Sequence, residues 1–354
     1  MIGLFPSGPS DRYGVPVADE HLRRLEREAE RGDPEAAARL ARERDRRGLS
    51  IRWQVGVTWT LDEAERATDV LFTHGGGDLV LALENEVRVI DPATGDVRAK
   101  AEPGLMRRVG PIAVDATRLY VGEVSGVRPA RESAPLGPFT IGHQVLAHLL
   151  PGLMVDPPLA ELAGDVTALA ANGGVVLAAC GGAVHAFGPD GAERKNPWLR
   201  GAPAQALALS RDGSIALVVT EERASVRAVA GGASTVRLDP GEPLVPTGAL
   251  TEDGAYAVLA TPNGVQVWDA VRGVRLHHLL CLEPPVRSVS IGGGNSDVIV
   301  VAAADRVFAW HLPSGLELGC SDSLGLPVTK AALDPTGRLL AALNPTCLWV
   351  LKSG

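Results

Sequence analysis

Cysteine is scarce and scattered. The four in 354 residues, Cys180, Cys281, Cys320 and Cys347, include no CxxC pair, so neither a zinc knuckle nor a dithiol redox motif is indicated. They are expected to be reduced and mostly buried, as free cysteines tend to be. Lysine is scarce for a charged residue, 4 against 30 Arg, a codon-driven bias that points to a high-GC bacterial genome. No run of 18 residues is apolar and free of charge and turn formers, and the opening MIGLFPSGPSDRYG has neither a basic start nor an apolar core. No membrane span or secretory signal is expected, and the expected location is the cytoplasm. An excess of positive charge is missing too: the net charge is −8 at pH 7, which disfavours general attraction to nucleic-acid phosphates. GxSxG, HExxH and a phosphate loop with its Lys-Ser/Thr pair do not occur, so the common hydrolase, metalloprotease and nucleotide-binding signatures are missing.

What is present is a repeat. Seven short apolar runs, each led in by a turn, begin at Asp78 (DLVLAL), Arg118 (RLYVGE), Gly174 (GVVLAA), Ser214 (SIALVV), Ala255 (AYAVLA), Asp297 (DVIVVA) and Arg338 (RLLAAL). Their intervals are 40, 56, 40, 41, 42 and 41 residues. Short strands recurring near this period predict an all-β fold, a seven-bladed β-propeller in which each blade packs on the next. The runs are apolar throughout because a strand in the middle of a blade is covered on both faces. Turns rich in Gly and Asp precede them, as at Arg211-Asp212-Gly213 and Glu252-Asp253-Gly254.

A third strand of V-x-V or V-x-A type follows the runs, at Val87, Val184, Val226, Val265 and Val307. In one of them, Val265-Gln266-Val267-Trp268-Asp269, the closing Trp-Asp pair resembles the WD-repeat family, and Trp310-His311 does so less closely. The resemblance is architectural and spans about 300 residues as a repeat pattern. The family's Gly-His dipeptide is missing from the repeats, which leaves its His, Ser/Thr, Trp and Asp network incomplete in each of them. Pyrroloquinoline-quinone-like and lactonase-like propellers remain competing assignments.

Residues 1–17, with three Pro and three Gly, are expected to form an irregular arm. Residues 18–48 carry Leu22, Leu25 and Ala29, then Ala37, Leu40 and Ala41, at helical spacing. Gly32 ends the first helix, Asp33 caps the second, Pro34 fits its first position and Gly48 stops it. This helical hairpin, through GDPEAAARLA, resembles a single tetratricopeptide-like or Sel1-like unit. Residues 49–354 are assigned to the propeller. Within them residues 51–61 alternate, with Ile51, Trp53, Val55, Val57, Trp59 and Leu61 on one side, and predict a half-buried strand. The C-terminal repeat supplies three strands, and residues 51–61 are expected in the fourth place, closing the ring and removing an exposed edge.

The 56-residue interval implies an insertion of about 16 residues within 124–165. Pro, Gly and basic residues mix there with an apolar stretch at residues 145–154. Either a contact loop leaves the rigid scaffold, or part of the stretch builds the blade's outer strands behind a longer turn. Candidate interaction residues are Arg128, Arg131, Phe139, His143 and His148 in this segment and Arg23 and Arg27 on the first helix. Interleaved acids make a salt-bridged solvent face the simpler account of the helical Arg stripe. His277 and His278 fall on a predicted outer strand, where neighbours face opposite ways and do not chelate side by side. Glu84, Glu123, Glu221 and Asp305 follow the second strands near one face. A ring of carboxylates there would bind a cation, although edge solvation explains them more simply. Trp268, Trp310 and Trp349 are expected in blade packing. No cofactor or metal is expected. The resulting expectation is a non-catalytic protein–protein interaction scaffold, presenting rim loops and the hairpin to unidentified protein partners in a bacterial regulatory or defence assembly. The alternative is a propeller hydrolase or lactonase with a metal over the central channel. Neither nucleic acid nor membrane is the expected partner, and oligomeric state is not legible.

Overall fold

The computed structural model describes residues 24–25, 27–29, 31, 35–36, 39–40, 51, 53–62, 65–102, 107–125, 143–150, 152–155, 158–188, 190–194, 203–230, 234–281, 283–292 and 297–353. From these come seven antiparallel sheets. The strand β1 (Trp53–Thr60) stands apart in sequence from the sheet it joins. The first blade follows it with β2 (Ala67–Phe72), β3 (Leu79–Leu83), β4 (Val87–Ile90) and β5 (Val97–Ala101). The second holds β6 (Arg107–Val114), β7 (Arg118–Ser125), β8 (His143–Leu149), the two-residue β9 (Met154–Val155) and β10 (Ala160–Leu162). The third holds β11 (Val166–Asn172), β12 (Val175–Cys180) and β13 (Ala183–Phe187). The fourth is β14 (Ala206–Leu209), β15 (Ile215–Val219), β16 (Ala224–Ala228) and β17 (Ser234–Leu238). The fifth is β18 (Gly248–Leu250), β19 (Tyr256–Thr261), β20 (Gly264–Asp269) and β21 (Val274–Leu280). The sixth is β22 (Val286–Ile291), β23 (Val298–Ala303), β24 (Arg306–His311) and β25 (Leu316–Cys320). The seventh is β26 (Lys330–Leu333), β27 (Leu339–Asn344) and β28 (Cys347–Ser353), with β1 outermost beside β28.

The seven apolar runs become the second strands, and the reason for their composition is visible in their burial. Every residue of β3, β12 and β23 is buried. Such a strand shows one face to each neighbouring blade, so alternate residues enter alternate interfaces. Val298 and Val300 of β23 pack toward the seventh blade, while Ile299 and Val301 pack toward the fifth. The core is therefore divided into seven clusters, one at each junction between blades. The first strands adjoin one another in the same cyclic order, from β2 through β6, β11, β14, β18, β22 and β26 back to β2.

β1 departs from its sequence pattern in an instructive way. Unbroken alternation predicts one apolar face, but the register with β28 shifts between Val55, opposite Leu351, and Val57, opposite Val350. Adjacent residues of β28 point to opposite faces, so the bulge at Gly56 moves the apolar side chains from one side of the sheet to the other. Trp53, ahead of the bulge, is buried between the sixth and seventh blades. Trp59 and Leu61, beyond it, pack between the seventh and the first. Val55 is left 49% exposed. Ile51 N–H donates to Leu318 O at 2.8 Å, and Trp53 forms a parallel bridge with Ser321. One strand thereby touches three blades.

Residues 24–25, 27–29, 35–36 and 39–40 are helical. Leu25 and Leu40 are buried and, with Ala29, belong to the cluster that contains Trp53. The arm at residues 1–17 and the remainder of 18–48 lie outside the described residues, so the predicted hairpin is not laid out in full. In the second blade residues 126–142 also lie outside them. Residues 145–149 belong to β8 and 154–155 form β9, so that apolar stretch supplies strands of the blade.

Gly95 locks β1 to the first blade. Its φ is +84°, a left-handed backbone that favours glycine. A Cβ there would stand 1.9 Å from Trp59 Nε1. Gly95→Ala is expected to lower stability by about 2–4 kcal/mol, from backbone strain plus displacement of the indole. The combination with Trp59→Ala should cost less than the sum of the two single changes. Urea midpoints of the four proteins check this, and strict additivity would show that Trp59 does not rest on the turn.

Candidate functional site

A propeller offers three kinds of surface: the central channel, its two mouths and the outer strands. The channel exists because seven first strands stop short of the axis. They enclose a cavity of about 230 Å³ whose walls mix small apolar side chains such as Val70, Ala168 and Val289 with polar ones such as Thr247, Gln205 and Ser290. Their inward edges lack a strand partner, and side chains supply the missing hydrogen bonds. Val289 N–H donates to Thr247 Oγ1 at 3.3 Å, and Ala331 N–H donates to Ser288 Oγ at 3.0 Å. Thr167 Oγ1 donates to Ala204 O at 2.8 Å. Each bond joins one blade to the next. Lys330 and Asp69, 3.8 Å apart, make the same step from the seventh blade to the first. These groups went unnoticed in the sequence. Their signal is a hydroxyl seven to nine residues ahead of an apolar run, as at Thr167, Thr247 and Ser288.

The carboxylates that follow the second strands do not form a ring aimed at one point. Glu84 pairs with Arg108 at 3.5 Å and Arg66 at 4.0 Å. Glu123 is buried and accepts the Gln144 N–H at 3.0 Å. Asp305 accepts the Ser323 hydroxyl, and Glu221 is exposed. Among the described residues, no three His, Cys, Asp or Glu side chains come together as a metal site. No described helix is long and apolar enough to cross a membrane.

The opposite mouth is framed by turns between first and second strands. A cavity of about 500 Å³ there is lined by His74, Asp115, Arg118, Asn172, Arg211 and Glu252, among others. The turns are internally bonded. Ser210 and Ser214 hydroxyls donate to Asp212 Oδ1 at 2.6 and 2.8 Å, and Ser214 N–H adds a third bond at 3.0 Å. The Ser210 hydroxyl is the chief cause, and these bonds hold the Asp212 carboxyl down to about 2. Thr251 and Asp253 repeat the arrangement in the next blade, at 2.6 Å. Arg211 N–H donates to Glu252 O across that boundary at 2.7 Å.

The candidate residues separate. His143 opens β8, its backbone opposite Leu162. His148, near the other end of β8, is only 3% exposed, which corrects its assignment to an interaction surface. It sits opposite Leu119, on the face of β8 that also carries Leu146 and is turned to the first blade, so the side chain is taken up in packing between the two blades. Arg27 is exposed on a helical segment. Arg23, Arg128, Arg131 and Phe139 lie outside the described residues. His277 and His278 point apart, the first to Pro313 O at 2.9 Å in the sixth blade, the second to Glu242 Oε1 at 3.4 Å. Trp268, Trp310 and Trp349 are buried. Trp268 Nε1 donates to Gln266 Oε1 at 3.2 Å, and Gln266 Nε2 continues to Glu242 at 2.6 Å. The cysteines are free, with Cys180 and Cys281 buried and Cys320 and Cys347 partly so. Burial pushes the Cys281 thiol up to about 11.

Because the fold favours the Asp212 carboxylate, its contribution to stability is present above the ordinary value of 3.8 and is lost as pH falls toward 2. Asp212→Asn should therefore be less stable than the parent at pH 6, with the gap narrowing between pH 5 and pH 3. Denaturant midpoints across that range check the sign. A gap that stays constant would remove the carboxylate from the account.

No family model matches the sequence, and no curated protein matches it. A solved structure does, a chain of the "Crystal Structure of Mitotic Checkpoint Complex", with a TM-score of 0.69 and 16% identity. The match covers 84% of this chain and 91% of that one. At this identity the likeness shows the fold alone, that of a β-propeller, here built of seven sheets.

Proposed function

We propose that this chain is a non-catalytic protein–protein interaction scaffold. One observation carries the reading: polar side chains at the channel tie each blade to the next, as with Thr247, Ser288, Lys330 and Asp69. A rigid disc held in this way presents its edges and loops with little ordering cost on association. The pairing of β1 with β28 serves, in this reading, as the clasp of the ring, and the N-terminal helical segments extend the contact surface. The similar solved chain belongs to a multiprotein complex, which accords with protein partners. We place the chain in the cytoplasm of a bacterium with high Arg usage, within a regulatory or defence assembly.

The test is purification of the tagged full-length chain from its native cells, followed by mass spectrometry and metal analysis of the eluate. A protein partner in stoichiometric amount, with metal far below one atom per chain, is the expected outcome. A chain that emerges alone with about one bound metal would overturn the proposal and direct attention to hydrolytic chemistry over the channel.

A further inference from the structure

Among the described residues that line the channel, Asp69 and Lys330 alone carry charge. They come from neighbouring blades, the first and the seventh, and their side chains are 20% and 38% exposed, so solvent reaches them. At 3.8 Å the pair is too long for a direct hydrogen bond. Lys330 Nζ makes no hydrogen bond to a described residue, and Asp69 commits Oδ1 to the Val70 N–H at 2.9 Å. Both groups keep capacity for a further partner.

Donors gather on the Lys330 side. The N–H groups of Val289 and Ala331 point away from their own sheets, toward the axis, so the hydroxyl oxygens that accept them, Thr247 Oγ1 and Ser288 Oγ, stand beside the channel. Serving as acceptors, these hydroxyls each retain a proton to donate. No described residue accepts it, and both side chains are buried, Thr247 at 8% and Ser288 at 3% exposure. A buried donor in this position needs water or a ligand. Around the ring the order is Thr247 on the fifth blade, Ser288 on the sixth, Lys330 on the seventh and Asp69 on the first: three donors, then one acceptor. Gln205, on the lead into the fourth blade, adds an amide, while Ser290 lies deeper on β22 with its hydroxyl oxygen enclosed. Ala168, Ala206 and Gly248 have little or no side chain and leave the space open.

This arrangement selects its occupant. A simple anion meets Asp69, a simple cation meets Lys330, and an uncharged molecule leaves both charges without a counterpart. A small zwitterion answers both. The volume of about 230 Å³ is below the roughly 300–1,000 Å³ of pockets for drug-sized ligands. We infer that the channel is a binding site for a free α-amino acid with a small side chain. Its carboxylate accepts from Lys330 Nζ and from the Ser288 and Thr247 hydroxyls, and its ammonium group lies against Asp69, separating the loose pair. Exchange of one long contact for two charge-assisted ones supplies the affinity. The site goes beyond the scaffold reading and does not depend on it, because it lies inside the ring.

The test is isothermal titration calorimetry of the full chain with L-alanine, for which a dissociation constant on the order of 100 μM is expected. Propionate lacks the ammonium group, ethylamine lacks the carboxylate and L-tryptophan exceeds the space, so each should bind at least about tenfold more weakly. Asp69→Asn and Lys330→Met should each weaken L-alanine about tenfold. Ala206→Leu, which fills the space, should abolish binding. L-Alanine at about 10 mM should raise the thermal midpoint of the parent chain by about 3 °C. Absence of both heat and midpoint shift with glycine, L-alanine and L-serine at that concentration overturns the inference. So does equal binding of propionate or ethylamine, or L-alanine binding that survives both charge variants, which would place the amino acid elsewhere. The charge variants stand at partly exposed positions and report on the site whether or not Ala206→Leu folds. Capture of a protein partner from native cells, or failure to capture one, alters none of these outcomes.

Discussion

Burial of the middle strands on both faces is the constraint from which the rest follows. β12 and β23 have no side that tolerates water, so each blade needs a neighbour on the left and on the right. An open row of blades leaves two apolar faces bare, and a cycle leaves none. The seven separate clusters at seven junctions are the physical form of that cycle. Stability is consequently shared among equivalent interfaces, and damage at one junction is felt as loss of the ring's continuity.

The junctions on either side of the seventh blade are reinforced by a strand from the other end of the propeller sequence. β1 reaches both because of a single glycine. At Gly56 the strand changes face, so Trp53 enters one interface and Trp59 the other. Gly319 and Gly95 give it room at either end, the first beneath Ile51 and the second beneath Trp59. Large aromatic surfaces at both contacts make the attachment strong for so short an element.

The same economy shapes what remains for function. First strands cannot pair toward the axis, and hydroxyls together with the Lys330–Asp69 pair take over that duty. The carboxylates near the rims are spread among separate partners, Glu84 on two arginines and Glu123 on a backbone amide. Chemistry needs groups that converge, whereas recognition needs surfaces that are fixed.

Repeat length, turn chemistry and apolar runs determined the architecture from sequence, because burial on both faces writes itself into composition: DVIVVA has only one stable environment. The packing role of Trp268, Trp310 and Trp349 and the opposed directions of His277 and His278 were legible for the same reason, strand periodicity. The face change at Gly56 was not, since a bulge depends on the register with β28 some three hundred residues away and leaves local alternation intact. Nor was the burial of His148, which the packing of the second blade against the first decides. The hydroxyl ties around the channel likewise belong to tertiary structure alone. They join residues from different blades, and only the closed geometry of the ring brings such residues within reach of one another.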